Sequence, residues 1–344
     1  MVIPRITEIR DLSYLLMARQ TNQFRVSGAF IGILFISGEE LIISVEGRYR
    51  MNLERHLAGQ DEDVKQVILC ISEVAKTIRR GFATRQGALG SSNVYGEPQA
   101  AMDVWANELL ISGLRDSGLV EYVASEEQPD MLTFQGSKSD LGVTIDPLDG
   151  SSLISVNLAV GTIVGIYRGS PLSPGNEMLG AMYIIYGPLT TLTYSLREGV
   201  HEFALDDRGV FVLQEENVTI PDGKIYAPGA LRRNYLRVHR GFIEKLEKEG
   251  YKLRYSGSFV ADVHQILHKG GVFMYPPFAG NENGKLRLLF EAIPMGFIVS
   301  QACGAASDGH QDLLSIKPEA VSQRVPVYMG GKREIELIMS MNKE

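Results

Sequence analysis

The run Val143-Thr-Ile-Asp146-Pro-Leu-Asp149-Gly150-Ser151-Ser152 delivers two carboxylates from an apolar strand into a turn shaped by Pro and Gly. Hydroxyls and backbone N–H groups follow at once, and such groups can face an anion. Alone, the run reads as a solvated turn held by Asx hydrogen bonds. Its company changes that reading. Ser125-Glu126-Glu127 ends another short apolar strand, the position at which open α/β sheets place ligands. Glu97 and Asp103 lie before and on a helical pattern, and Glu291 interrupts the otherwise apolar LLFEAIPMGF. A glutamate in that setting faces solvent or is held by a cation, because burying it unpaired is costly or neutralises it. If these seven acids converge, mutual repulsion forbids full ionisation without bound metal. An oxygen-only donor set points to Mg²⁺ or Mn²⁺ and away from a thiolate zinc site.

Such a cluster suits phosphoryl chemistry, in which metals polarise the phosphate, lower the pKa of an attacking water and neutralise the leaving oxygen. A carboxylate beside that water can take its proton. The substrate's remaining charge needs separate recognition, and the C-terminal third offers Arg254, Tyr255, Tyr275, Lys285 and Arg287. Singly, each reads as a surface cation or a half-buried tyrosine. Together they would form a second anion site about a sugar's length from the metals. The six histidines are scattered, and none has a spacing that indicates a triad or an HExxH site, so each reads as structural or exposed.

The elements that must position these groups follow from periodicity. Val64, Val67, Ile68, Ile71, Val74, Ala75 and Ile78 recur at helical spacing, with acids Asp61 to Asp63 at the positive N-terminal end. A second helix is expected from about 99 to 116, with Met102, Trp105 and Leu109 on one face. Strand patterns then occupy 120–124, 142–145, 157–167, 178–186, 189–196 and 199–205. Helical patterning returns at 233–249, 259–268 and 286–302, with strand-like GVFMYP before the last of these. The order predicts an α/β fold of sheets with helices between and outside them.

At 344 residues, with 22% charged and 44% hydrophobic residues, the chain has the composition of a globular protein. No apolar run reaches the roughly 20 residues of a membrane span. A net charge of −7 disfavours nucleic acid or an anionic membrane as a partner. Only Cys70 and Cys303 occur, without CxxC spacing, so no disulfide framework is indicated and a cytoplasmic location is expected. Residues 1–50 contain no lysine and several arginines, and read as an accessory element, a targeting segment or an upstream extension ahead of Met51. The acids Glu39, Glu40 and Glu46 place targeting last, and extension is favoured. The remainder is expected to divide into an N-terminal catalytic domain over 51–220 and a C-terminal sugar-phosphate domain over 221–344.

From about Asp63 to Met329 the chain resembles class I fructose-1,6-bisphosphatases, a branch of the lithium-sensitive, metal-dependent phosphatase superfamily. The DPLDGSS run at 146–152 resembles the superfamily motif, and GKLRLLFEAIPMG at 284–296 resembles the more specific sugar-bisphosphatase signature. The run RYSGSFVADVH at 254–264 adds a third match. The resemblance implies a sugar-phosphatase fold with α-β-α-β-α layering and an oligomer, commonly a homotetramer. It implies metal ligation by Glu126, Asp146, Asp149 and Glu291, with Glu127 and the Leu148 carbonyl assisting, and two or more Mg²⁺ per subunit. Asp103 and Glu127 would activate water, with Glu97 where relatives carry Asp. Gly150, Ser151 and Ser152 would hold the departing phosphate, while Tyr255, Tyr275 and Lys285 would hold the other. Arg254 would reach a neighbouring subunit's site.

The implied reaction is hydrolysis of fructose 1,6-bisphosphate to fructose 6-phosphate and phosphate, a step of gluconeogenesis. Departures leave two alternatives. Ala227-Pro-Gly229-Ala-Leu-Arg232 is similar to sedoheptulose-1,7-bisphosphatases, so that substrate or dual specificity is one. A non-catalytic phosphosugar sensor is the other, although the principal acids are all retained. Leu153-Ile-Ser155 replaces the amide and carboxylate that relatives carry after GSS. Acids at 61–63 would repel a nucleotide phosphate, which predicts weak AMP inhibition. Without a cysteine-bearing insertion, thioredoxin control is not expected.

Overall fold

Alternating apolar residues build the central sheet of the computed structural model, which describes residues 51–84 and 101–343 in full and the backbone of 21–26, 29–36, 39–44, 88–92 and 98–100. The chain divides into two units, 1–50 and 51–344. In the first, β1 (Thr21–Val26), β2 (Ala29–Ile36) and β3 (Glu39–Ser44) form an antiparallel meander, with Thr21 opposite Leu34 and Ile36 opposite Glu39.

In the second unit, α1 (Glu62–Gly81) is capped by Asp61, whose side chain accepts from the N–H groups of Asp63 and Val64, both at 3.1 Å. Glu62 and Asp63 in its first turn and Arg79 and Arg80 in its last complement the helix dipole. β4 (Ala88–Ser92) and β5 (Pro98–Ala100) pair as a short ribbon ahead of α2 (Ala101–Ser117). In α2 the buried row is Met102, Ala106, Leu110 and Leu114, while Trp105 and Leu109 are half-buried beside it.

Eight strands follow in one sheet: β6 (Val120–Ser125), β7 (Leu132–Thr133), β8 (Leu141–Asp149), β9 (Val160–Arg168), β10 (Gly180–Tyr186), β11 (Thr190–Ser195), β12 (His201–Leu205) and β13 (Phe211–Glu215), in spatial order β13-β12-β11-β10-β9-β8-β6-β7. Only the β6–β8 pair is parallel. In β10, Met182, Ile184 and Tyr186 pack toward α1 and α2, while Ala181, Tyr183 and Ile185 pack toward the opposite core. That is the two-residue period of a sheet buried on both faces.

The opposite core contains α4 (Phe259–Lys269) and α5 (Ile293–Gln301), which sit between this sheet and a second one. The second sheet has the order β15 (Lys252–Leu253), β14 (Ile225–Pro228), β16 (Val272–Tyr275), β20 (Val327–Gly330) and β18 (Ala305–Ser307). Its far face carries Tyr226, Val272, Met274 and Tyr328 against α3 (Arg237–Lys248) and α6 (Lys332–Met341). The layering is therefore α-β-α-β-α, as expected. Among the described residues no helix is long and apolar enough to cross a membrane.

The expected helix over 286–302 is a correction. Leu286–Arg287 form β17, paired with β19 (Arg324–Val325); a π-helical turn follows over Leu288–Ala292, and α5 starts only at Ile293. Pro294 favours the first turn of a helix, where its missing N–H breaks no bond. π-turns widen a helix locally and recur at functional sites.

Candidate active site

Two parallel strands bring the acids together. Ser125 of β6 lies opposite Ile145 of β8, and Glu126 N donates to the Ile145 carbonyl at 3.0 Å, so Glu126–Glu127 and Asp146–Asp149 follow directly where the β6–β8 pairing ends. Beyond that point β8 gains a residue on β9: Asp146 faces Ile163, yet Asp149 faces Gly161. The bulge holds Pro147, whose carbonyl accepts from Thr162 Oγ1 at 2.9 Å. Bulges of this kind re-aim side chains beside active sites.

Each carboxylate is held from a different element. Leu148 N donates to Asp146 Oδ1 at 3.0 Å. Asp149 Oδ2 accepts from Ser258 Oγ at 2.9 Å and from Val260 N at 2.8 Å, at the positive N-terminal end of α4. Glu291 Oε2, in the π-turn, accepts from Arg287 N at 2.6 Å. One carboxylate oxygen from each of Asp146, Asp149 and Glu291 lies within 4.8 Å of the other two, and all three residues are buried. Burial, then the charges of Glu126, Asp149 and Glu291, push Asp146 well above the usual carboxylate range. Burial, then Glu126 and Asp149, raises Glu291 likewise, and burial raises Asp149 to about 6. Oxygen donors that resist ionisation for lack of positive charge fit a hard divalent cation. Arg287, 3% exposed, contributes one positive group, its Nε lying 3.5 Å from Glu126 Oε1.

A cavity of about 360 Å³ opens from these carboxylates. Its walls bring together Asp103, Glu126, Glu127, Asp146, Leu148, Asp149, Gly150, Ser151, Ser152, Tyr255, Tyr275, Lys285, Arg287 and Glu291. Asp103, on the first turn of α2, accepts from Ser151 Oγ at 3.0 Å. One turn on, Asn107 Oδ1 accepts from Ser125 Oγ at 2.7 Å, tying α2 to the end of β6. Gly150 has φ of 77°, and a Cβ there would come within 2.9 Å of Ser258 Cβ, so the turn needs glycine twice over. Also in the lining, Lys285 Nζ lies 6.0 Å from the Tyr275 ring centroid. Gly229 packs beneath that ring, where an added Cβ would come within 2.2 Å of it.

Two sequence candidates stand apart. Arg254 is exposed, does not line the cavity, and donates from Nη1 to the adjacent Leu253 carbonyl at 3.0 Å. Glu97 lies outside the described residues. Arg287, read from sequence as a substrate cation, lines the cavity with its guanidinium toward Glu126. Ser258, Val260 N and Asn107 support the site without being among the sequence candidates. The serine just before α4 was the available signal for the first, since an N-cap serine marks a cluster of N–H donors.

The fructose-1,6-bisphosphatase N-terminal domain model matches residues 46–216, and the C-terminal domain model of the same enzymes matches 220–343. The chain belongs to the fructose-1,6-bisphosphatase family. It is 50% identical to the class 1 fructose-1,6-bisphosphatase of Methanocorpusculum labreanum over 277 residues, 80% of this chain and 86% of that protein. It is 46% identical to the class 1 enzyme of Pelobacter propionicus over 297 residues, 84% of this chain and 91% of that one. The crystal structure of Leishmania major fructose-1,6-bisphosphatase in holo form superposes with a TM-score of 0.82 at 30% identity, covering 86% of this chain and all of that one. The family is metal-dependent, and the buried carboxylates of this chain form a donor set suited to it.

Proposed function

We propose that this protein hydrolyses the 1-phosphate of fructose 1,6-bisphosphate, releasing fructose 6-phosphate and inorganic phosphate, with Mg²⁺ as the physiological ion. It is a phosphoric monoester hydrolase of the fructose-1,6-bisphosphatase family. The observation that carries the reading is the meeting of Asp146, Asp149 and Glu291 in one cavity that Lys285 and Tyr275 also line. Two or more Mg²⁺ per subunit, with Mn²⁺ as a substitute, supply Lewis-acid polarisation of the phosphate and a more acidic attacking water.

The chain's own groups do the rest. Glu126, Asp146, Asp149 and Glu291 hold the ions, assisted by Glu127 and the Leu148 carbonyl. Asp103 and Glu127 orient the water and accept its proton, and Glu97 acts with them as the matching family acid. The turn from Gly150 to Ser152 offers N–H and hydroxyl donors to the departing phosphate. Lys285, Tyr255 and Tyr275 hold the phosphate that stays, which fixes the reacting end in line for attack. The exposed guanidinium of Arg254 supports a homotetramer in which it serves a neighbour's site, and the cytoplasm suits such an enzyme.

A second reading is a sedoheptulose-1,7-bisphosphatase, or an enzyme that accepts both sugars. Gly229 packs against the ring of Tyr275, so the segment that departs from other fructose-1,6-bisphosphatases supports a residue that lines the cavity. Phosphate release from both bisphosphates at equal concentration, with Mg²⁺ and after chelation, tests these statements. Faster release from the fructose ester, abolished by chelation, is expected. A large preference for the seven-carbon sugar would replace the first reading with the second, and undiminished turnover after chelation would end both.

A further inference from the structure

His264 and His268 stand four residues apart on α4, so their rings leave one face of the helix, with centroids 4.6 Å apart. Their third partner is remote in sequence and close in space. Glu202 of β12 places Oε2 at 2.8 Å from His268 Nε2 and 3.8 Å from His264 Nδ1. A tetrahedral ion with bonds of about 2.0–2.1 Å holds its ligand atoms about 3.3 Å apart, a value these two separations bracket. Behind His268, Glu215 Oε2 of β13 lies 3.7 Å from Nδ1, a small side-chain adjustment away from the hydrogen bond by which a carboxylate orients a ligating imidazole. Glu202 is 12% exposed and the two histidines 24% and 23%, which is buried enough to hold the rings and open enough to admit an ion.

We propose that Glu202, His264 and His268 form a second divalent-cation site, selective for a zinc-class ion and distinct from the all-oxygen cavity. Two imidazoles and one carboxylate favour Zn²⁺ over Mg²⁺, which prefers oxygen ligands. Ligation at His264 Nδ1 exchanges its 2.9 Å hydrogen bond with Tyr183 Oη for a coordinate bond. The ion would clamp the second half of α4 to the eight-stranded sheet, and the first turn of the same helix holds Asp149.

The test is equilibrium dialysis of the full chain against Zn²⁺ in saturating Mg²⁺, with Co²⁺ absorption as a second measurement. One Zn²⁺ per chain is expected at about micromolar free ion or below. The Co²⁺ spectrum should be that of a nitrogen-ligated tetrahedral centre. His264→Gln and His268→Gln should each weaken Zn²⁺ at least about tenfold, and Glu215→Gln about tenfold, the effect usual for an outer partner. Asp146→Asn should leave this Zn²⁺ in place. The proposal is overturned by unchanged Zn²⁺ affinity in the double histidine variant, by loss of the ion in Asp146→Asn, or by no uptake up to about 1 mM. If the histidine variants fail to fold, an octahedral oxygen-type Co²⁺ spectrum from the unaltered protein overturns it instead.

Discussion

Ser258 Oγ donates to Asp149 Oδ2 at 2.9 Å across 109 residues of chain, joining the N-terminus of α4 to the end of β8. The bond fixes which way one carboxylate of the cluster points. Outer hydrogen bonds to ligating groups are commonly worth 10–100-fold in metal affinity or activity. Ser258→Ala should therefore raise the Mg²⁺ concentration for half-maximal rate about tenfold or more. The loss of folding stability should stay at about 1–2 kcal/mol, because the serine also caps α4 by accepting from Ala261 N. Rate against Mg²⁺ concentration, beside urea unfolding, separates the two effects. An unchanged Mg²⁺ dependence would remove Ser258 from the site.

Gly150 tests the same junction from the other side. Its φ of 77° costs an L-residue about 1–2 kcal/mol, and a Cβ would meet Ser258 Cβ at 2.9 Å. Gly150→Ala should lower the unfolding free energy by about 2 kcal/mol or more and reduce kcat further than Ser258→Ala does. Both the Asp149 bond and the phosphate-facing turn would move. Equal kcat in the two variants would mean the turn tolerates the strain without shifting Ser151.

The acids at the ends of β6 and β8 were legible because strand ends write themselves into sequence as apolar runs that stop at charge. Parallel pairing of β6 and β8 then brings Glu126 and Asp146 together, and that pairing is not a local property. Glu291 was legible as a misfit in an apolar stretch, but the π-turn that aims it was not, since LLFEAIPMGF reads as one helix and Pro294 alone hints at the break. The support from Ser258, Val260 N and Asn107 depends on packing between layers. Four short strands, over 211–215, 225–228, 305–307 and 327–330, lacked enough alternation to stand out.

Lys285 separates binding from chemistry. It lines the cavity beside Tyr275, where its charge can meet a phosphate that does not react. Lys285→Ala should raise KM for the bisphosphate about tenfold or more, with a smaller fall in kcat, because uniform binding energy appears in KM. Steady-state kinetics reads both. A fall in kcat alone would place Lys285 at the reacting phosphate instead.

The last prediction concerns pH and stability away from the cavity. His239 of α3 is 2% exposed, with the Tyr235 ring edge-on at 4.4 Å and Tyr328 Oη 3.4 Å from Nδ1. Burial lowers its pKa from 6.5 to about 3. A depressed folded-state pKa means that the unfolded chain binds the proton first. The stability this neutral histidine carries is therefore complete above pH 6.5 and lost progressively as pH falls from there toward 3. At pH 5 the loss is about 2 kcal/mol, from about 1.4 kcal/mol per pH unit below the unfolded value. His239→Phe removes the titrating group and keeps an aromatic ring beside Tyr235 and Tyr328. Urea unfolding at pH 7 and pH 5 should show the parent losing about 2 kcal/mol more than the variant between the two values, with every other titration common to both. Equal losses would show that His239 accepts its proton without unfolding, through an outward rotation that brings the ring into water.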